Sequence, residues 1–252
     1  MLFVGNSLTY YGNAPAVYAA LSTANGHPAT SGMIVEGGAT LAQLVADGQV
    51  EQAMQSGRYD TLVIQERGGD LLCSFGPDSC IESRAAMMAL ARIGREHGAT
   101  VVMLGSYQPT PTISRQLVQA EAAASKAAGI DYAEVSETLR HLTAAAPELA
   151  WFAADGMHPG RHLTLLNAIV IYQALHVQLP AAGPLTVDAP IYAGDSGLQA
   201  TLRTADAPPP NPDTPTGTEY SAATLARILQ SLAKKNPAEA GLSSTGRLDQ
   251  NL

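Results

Sequence analysis

Short apolar runs, each too brief for a helix, recur between longer stretches of helical periodicity from the N-terminus to about residue 178. They lie at residues 1–4, 30–36, 59–65, 100–104 and 130–135, and they are rich in Val, Ile and Leu. A run that is apolar throughout, rather than at alternate positions, suits a strand covered on both faces. The intervening stretches at 15–24, 40–47, 50–56, 81–97 and 114–128 carry helical spacing, and Gly98 and Gly129 stop two of them. Ser136 reads as the cap of a further helix reaching about residue 146. Alternating strand-like and helix-like stretches predict an α/β fold, a three-layer α/β/α sandwich around a roughly five-stranded parallel sheet. Parallel neighbours need the long crossovers that these helices supply.

Beyond His158-Pro159-Gly160 a long apolar helix is expected to about residue 178. Residues 179–219 then change character, with Pro208-Pro209-Pro210 and many Asp and Thr, and read as an irregular Pro-rich connection. Residues 220–240 recover helical periodicity and are expected to pack back on the domain, and 241–252 read as a tail. No internal repeat is evident.

The formal charge of −8 disfavours nucleic acid or an anionic membrane as partner, because both reward a basic face. No apolar run reaches the roughly 18–20 residues that span a bilayer, and the residues before the first strand are not expected to form a secretory leader. The two cysteines, Cys73 and Cys80, bracket a short loop. The expected state is a local disulfide, with a reduced pair as the alternative. A disulfide would imply export to the periplasm or the medium.

The residues that could do chemistry sit at two distant places. Ser7 ends the first strand, just before a helical stretch, which puts its hydroxyl at the carboxyl edge of the sheet, where open α/β sheets hold their ligands. A helix start there also leaves unpaired backbone N–H groups to face negative charge. A serine needs a base to act as a nucleophile. Of six histidines, His27, His97, His141 and His176 sit in helices or turns without polar company. His158 follows Asp155 by three residues across a turn, a spacing that lets a carboxylate hold the imidazole tautomer. Ser7, His158 and Asp155 therefore form a triad proposal. A metal-dependent hydrolase using Asp155, His158 and His162, and a non-catalytic ligand-binding domain, are the competing readings.

On these residues the chain resembles the SGNH (GDSL-like) superfamily of serine hydrolases, over most of residues 2–178, and the resemblance implies that family's flavodoxin-like fold. Gly5-Asn6-Ser7-Leu8-Thr9 is similar to its first sequence block, with Asn6 where Asp is commoner, and Glu36-Gly37-Gly38-Ala39-Thr40 is similar to its second. Asp155-Gly156-Met157-His158-Pro159 keeps the fifth block's Asp-x-x-His-Pro. The third block departs. The family usually carries Gly-x-Asn-Asp there, whereas this strand ends Ile64-Gln65-Glu66-Arg67-Gly68-Gly69-Asp70. A Gln-containing strand end resembles certain carbohydrate acetylesterases of the superfamily, so Gln65 is the expected third oxyanion donor beside the N–H groups of Ser7 and Gly38. The alternative for Gln65 is a side chain bonding a loop backbone.

The resemblance implies hydrolysis of short acyl esters, acetyl foremost, through an acyl-enzyme on Ser7, with small-molecule or carbohydrate esters as substrates and with neither cofactor nor metal. Tyr10, Met33, Arg67, Tyr107 and Met157, together with Tyr11, are candidates to shape the substrate site. Ordinary packing is the competing role for each, and for Arg67 a surface pair with Glu66 or Asp70. The 73–80 loop follows the third block and would wall one side of the cleft. The lack of a long apolar lid favours small acyl groups.

Overall fold

The computed structural model describes residues 1–233. Residues 234–240, expected to continue the last helix, and the expected tail at 241–252 lie outside the described residues. Strand β1 (Leu2–Gly5) occupies the middle of the sheet, between β2 (Gly32–Val35) and β3 (Thr61–Ile64), with β4 (Thr100–Leu104) and β5 (Asp131–Ala133) beyond β3. All four pairings are parallel, in the order β5-β4-β3-β1-β2. The register sets Val4 against Ile34 on one side and Ile64 on the other. This is the five-stranded parallel sheet that the spacing predicts.

Alternation along the strands divides the interior in two. Leu2 and Val4 point into one core with Ile34, Leu62, Ile64 and Met103, while Phe3 points into the other with Met33, Val63, Val102 and Leu104. Helices α1 (Ser7–Tyr10) and α2 (Ala14–Ala24) follow β1; α3 (Leu41–Ala46) and α4 (Gln49–Gln55) follow β2. Then come α5 (Pro77–Glu96), α6 (Pro111–Ala128), α7 (Ser136–Ala145), α8 (Arg161–His176) and α9 (Ala222–Ala233). The Phe3 core takes its helical residues from α2, α7, α8 and α9. The Leu2 core takes its own from α3, α4, α5 and Ala124 of α6. The result is the expected three-layer sandwich. In its order β1 is the switch strand, since the chain leaves it first towards β2 and later towards β3. Sheets of this order hold their ligands at such a switch point, outside the carboxyl ends of the strands.

Three local expectations are corrected. α5 begins at Pro77 rather than residue 81, and α6 at Pro111 rather than 114. Proline fits a helix's first turn because the N–H that it lacks has no partner there. Ser136 does not cap α7: the Glu134 carboxylate takes the N–H of Glu137 at 2.6 Å, and Ser136 Oγ instead accepts from Gln108 N. The largest correction concerns residues 179–219, which are not an irregular connection throughout. Strands β6 (Leu185–Pro190), β7 (Arg203–Thr204) and β8 (Thr216–Tyr220) form within or across this segment. β6 and β8 pair antiparallel, and β7 adds antiparallel to β2 as a sixth strand of the main sheet. Their prolines hide the pattern, yet Leu185, Val187 and Ala189 alternate inward along β6 while Thr186 and Asp188 stay exposed.

Candidate active site

Two turns meet at the carboxyl edge of the sheet. The first is the abrupt passage from β1 into α1. Asn6 is its buried N-cap, its Oδ1 accepting the Leu8 N–H at 3.1 Å. Ser7 is thus the first helical residue, and its own N–H is one of those that a helix start leaves without an intrahelical partner. Gly5 is required by closeness, since a Cβ there would lie 2.2 Å from Thr9 Oγ1.

The second turn precedes α8. Phe152 and Pro159 form an antiparallel bridge, Ala153 N–H donates to His158 O at 2.9 Å, and Gly160 N–H donates to Trp151 O at 2.8 Å. A Cβ on Gly160 would lie 2.6 Å from the carbonyls of Ala150 and Phe152, so only glycine closes this loop. Inside it, Asp155 Oδ1 accepts the N–H groups of Met157 and His158 at 2.8 and 2.9 Å. Asp155 Oδ2 stands 2.6 Å from His158 Nδ1. These bonds hold the Asp155 carboxyl well below its usual range, at about 2, the His158 backbone N–H contributing most and its ring next.

The turns converge on one hydrogen bond. His158 Nε2 lies 3.0 Å from Ser7 Oγ, across a sequence separation of 151. With Nδ1–H donating to the carboxylate, Nε2 carries the lone pair and accepts the Ser7 hydroxyl. Tyr11 covers one face of the imidazole, its ring 4.0 Å away and 11° from parallel. The sequence groups Tyr11 with the substrate candidates, and nothing in its spacing marks it as a neighbour of His158.

The remaining expectations divide. Gly38 sits in the β2–α3 turn at φ 74°, a left-handed backbone that favours glycine, and it is exposed at the site's edge. Among the described residues its N–H meets no backbone or side-chain acceptor. Arg67 spans from the end of β3 to this turn. Its Nε and Nη2 each donate to Asp70 at 2.7 Å, Nη1 reaches Gly38 O at 3.4 Å, and the guanidinium lies 4.3 Å over the Phe75 ring. Glu66, buried and pushed up by that burial, accepts the N–H groups of Arg67 and Leu41 and the Ser83 hydroxyl. It thereby ties the end of β3 to the start of α3. On the opposite wall the Tyr107 hydroxyl donates to Met157 O at 2.6 Å, its ring lies beside Phe152, and the Met157 side chain is exposed.

Gln65 is corrected. It is fully buried, its Oε1 accepts the Thr9 hydroxyl at 2.7 Å, and its Nε2 donates to Gly105 O at 3.0 Å. The amide bonds a loop backbone beneath the site rather than facing the cleft. Met33 is likewise a core side chain on β2, wholly buried, and Tyr10 is buried with its hydroxyl against Gly37. His162 does not join Asp155 and His158. Its ring meets the edges of Trp151 and Tyr220, and among the described residues no cluster of three His, Cys, Asp or Glu side chains could hold a metal ion. Cys73 and Cys80 form a disulfide that closes the loop carrying Phe75. No helix among the described residues is long and apolar enough to cross a membrane.

A serine, an imidazole and a carboxylate joined in series at the switch point of an open parallel sheet define a site of hydrolase type. No protein-family model and no curated protein matches the chain. Solved structures do. A proposed SGNH hydrolase from Slackia heliotrinireducens is 26% identical with a TM-score of 0.57, over 69% of this chain and 97% of that one. A variant of Axe2, an acetyl xylan esterase from Geobacillus stearothermophilus, is 14% identical with a TM-score of 0.54, over 71% of this chain and 94% of that one. TesA is 18% identical with a TM-score of 0.53, over 69% of this chain and 96% of that one. These likenesses, the first at 26% identity, support the SGNH (GDSL-like) hydrolase superfamily as the one that this fold and site match.

Proposed function

We propose that this chain is a serine esterase that hydrolyses short acyl esters, acetyl foremost, through an acyl-enzyme on Ser7. The observation that carries the reading is the unbroken series Ser7 Oγ, His158 Nε2, His158 Nδ1, Asp155 Oδ2, at 3.0 and 2.6 Å for its two hydrogen bonds. Ser7 Oγ attacks the ester carbonyl as His158 Nε2 takes its proton. Asp155, anionic throughout, stabilises the imidazolium. The oxyanion of the tetrahedral intermediate faces the N–H groups of Ser7 and Gly38. Collapse breaks the bond to the alcohol oxygen, which leaves with the proton from His158. Water then attacks the acyl carbonyl and gives its proton to His158; collapse breaks the bond to Ser7 Oγ, which takes that proton back as the acid leaves.

Several features favour a small acyl group and a ring-shaped alcohol. The loops after β3 and before α8 expose aromatic and thioether side chains, Phe75, Phe152 and Met157, and among the described residues no long apolar segment covers them. Aromatic faces suit a sugar ring. The similar Axe2 is an acetyl xylan esterase. The Cys73–Cys80 disulfide supports export. The reading is tested by hydrolysis of p-nitrophenyl acetate, butyrate and octanoate beside acetylated xylan and acetylated monosaccharides, with Ser7→Ala as blank. Acetate turned over fastest, with a silent blank, is the expected outcome. Octanoate preferred would overturn the acyl assignment, and no turnover of any ester would favour a ligand-binding domain.

A further inference from the structure

The two hydrogen bonds of His158 hold the ring at its two nitrogens. Bonds in the ring plane at these positions run close to the line joining the nitrogens, so they restrain rotation about that line least. Tyr11 removes this freedom by stacking at 4.0 Å and 11°. Tyr11 is itself held from several sides. Its N–H donates to Ser7 O at 3.0 Å, and its carbonyl accepts from Thr164 Oγ1 at 3.2 Å. The C-terminal segment supplies the remaining restraints. Tyr11 bridges Tyr192, Gly12 N–H donates to Tyr192 O at 3.0 Å, and the Gly194 backbone lies against the Tyr11 hydroxyl.

We infer that Tyr11 is a positioning residue for the His158 imidazole, and that residues 190–194 act on the site through it. The inference rests on the esterase reading above. When His158 takes the Ser7 proton it becomes a cation against the Tyr11 ring face, an arrangement that favours the charged form as it develops. The ring keeps Nε2 aimed at Ser7 Oγ, and a misplacement of about 1 Å in such a contact can cost about 10²-fold in rate. The segment's hold on the Tyr11 hydroxyl is close. A Cβ on Gly194 would lie 2.6 Å from that oxygen, and Gly194 is exposed with a backbone that alanine can adopt.

The test combines kinetics with NMR of the imidazole in the whole chain. Tyr11→Leu is expected to lower kcat by about 10–10²-fold with KM nearly unchanged, and Tyr11→Phe to restore most of it. Gly194→Ala is expected to lower kcat in the wild-type chain and to have little effect in the Tyr11→Phe background, where no hydroxyl opposes the new methyl. In spectra of protein with labelled histidine, the His158 ring proton is expected upfield in the wild type and in Tyr11→Phe, and to move downfield in Tyr11→Leu. A ring proton unmoved by Tyr11→Leu overturns the stacking, and an equal Gly194→Ala effect in both backgrounds overturns the link to the C-terminal segment. If the wild type hydrolyses no ester, the esterase reading fails by itself, while the ring-proton shift still decides whether Tyr11 holds the imidazole.

Discussion

Glu121 offers a measurable consequence of how the floor of this site is built. It sits on α6, wholly buried behind the end of β4, where Oε1 accepts both the N–H and the hydroxyl of Ser106 and Oε2 accepts the Tyr132 hydroxyl at 2.7 Å. Burial outweighs those bonds and pushes its carboxyl up from 4.5 to about 7. A raised carboxyl prefers its protonated form in the fold. Its contribution is therefore full below the unfolded value and is lost as pH rises through the folded one. The displacement from 4.5 to about 7 corresponds to about 3 kcal/mol in total, most of it lost between pH 5 and 8. Glu121→Gln keeps the size and the acceptor for Ser106 but cannot ionise. Urea denaturation at pH 5.5, 7 and 8 should show wild-type stability declining across the series, and the variant declining less by about 2 kcal/mol. Parallel stability profiles for the two proteins would refute the argument that Glu121 is desolvated.

Other outcomes follow from the same geometry. Ser7→Ala and His158→Ala should each abolish nearly all turnover, and Asp155→Asn should lower kcat by about 10³–10⁴-fold, read as single-substrate kinetics on p-nitrophenyl acetate. Gln65→Ala should act on stability rather than on chemistry. It leaves the Thr9 hydroxyl and Gly105 carbonyl unpaired in the interior at a cost of about 1–3 kcal/mol, visible in thermal melts, whereas a pure loss of kcat with an unchanged melt would restore Gln65 to the oxyanion hole. Replacing Cys73 and Cys80 together by serine should cost about 2 kcal/mol, the loop-closure entropy of so short a ring, and should raise KM by freeing Phe75 and Arg67.

Much of this was written in local pattern. The five parallel strands announce themselves because each is buried on both faces and needs no partner to be seen as apolar. Ser7, Asp155 and His158 are visible as residue types at telling positions. Asp155 and His158 are close enough in sequence for a single turn to join them, and Ser7 ends a strand. What stays hidden is contact between segments that no periodicity links. Gln65 has the right chemistry for an oxyanion donor, and only the closeness of Thr9 and Gly105 shows that its amide is already engaged. Residues 185–220 carry prolines and acidic residues that suppress the strand signal, while the pairing of β6 with β8 and of β7 with β2 is set at long range. Tyr11 gives no hint of its role, because the imidazole that it covers lies far along the chain.

The central claim is that Ser7 is the nucleophile and His158 its base. It is tested most directly by treating the native chain with a serine-directed fluorophosphonate and mapping the modified peptide by mass spectrometry. The account predicts a single adduct on Ser7, absent in Ser7→Ala and formed far more slowly in His158→Ala. No adduct on the native chain, or one on another residue, or labelling as fast in His158→Ala as in the native chain, would contradict it.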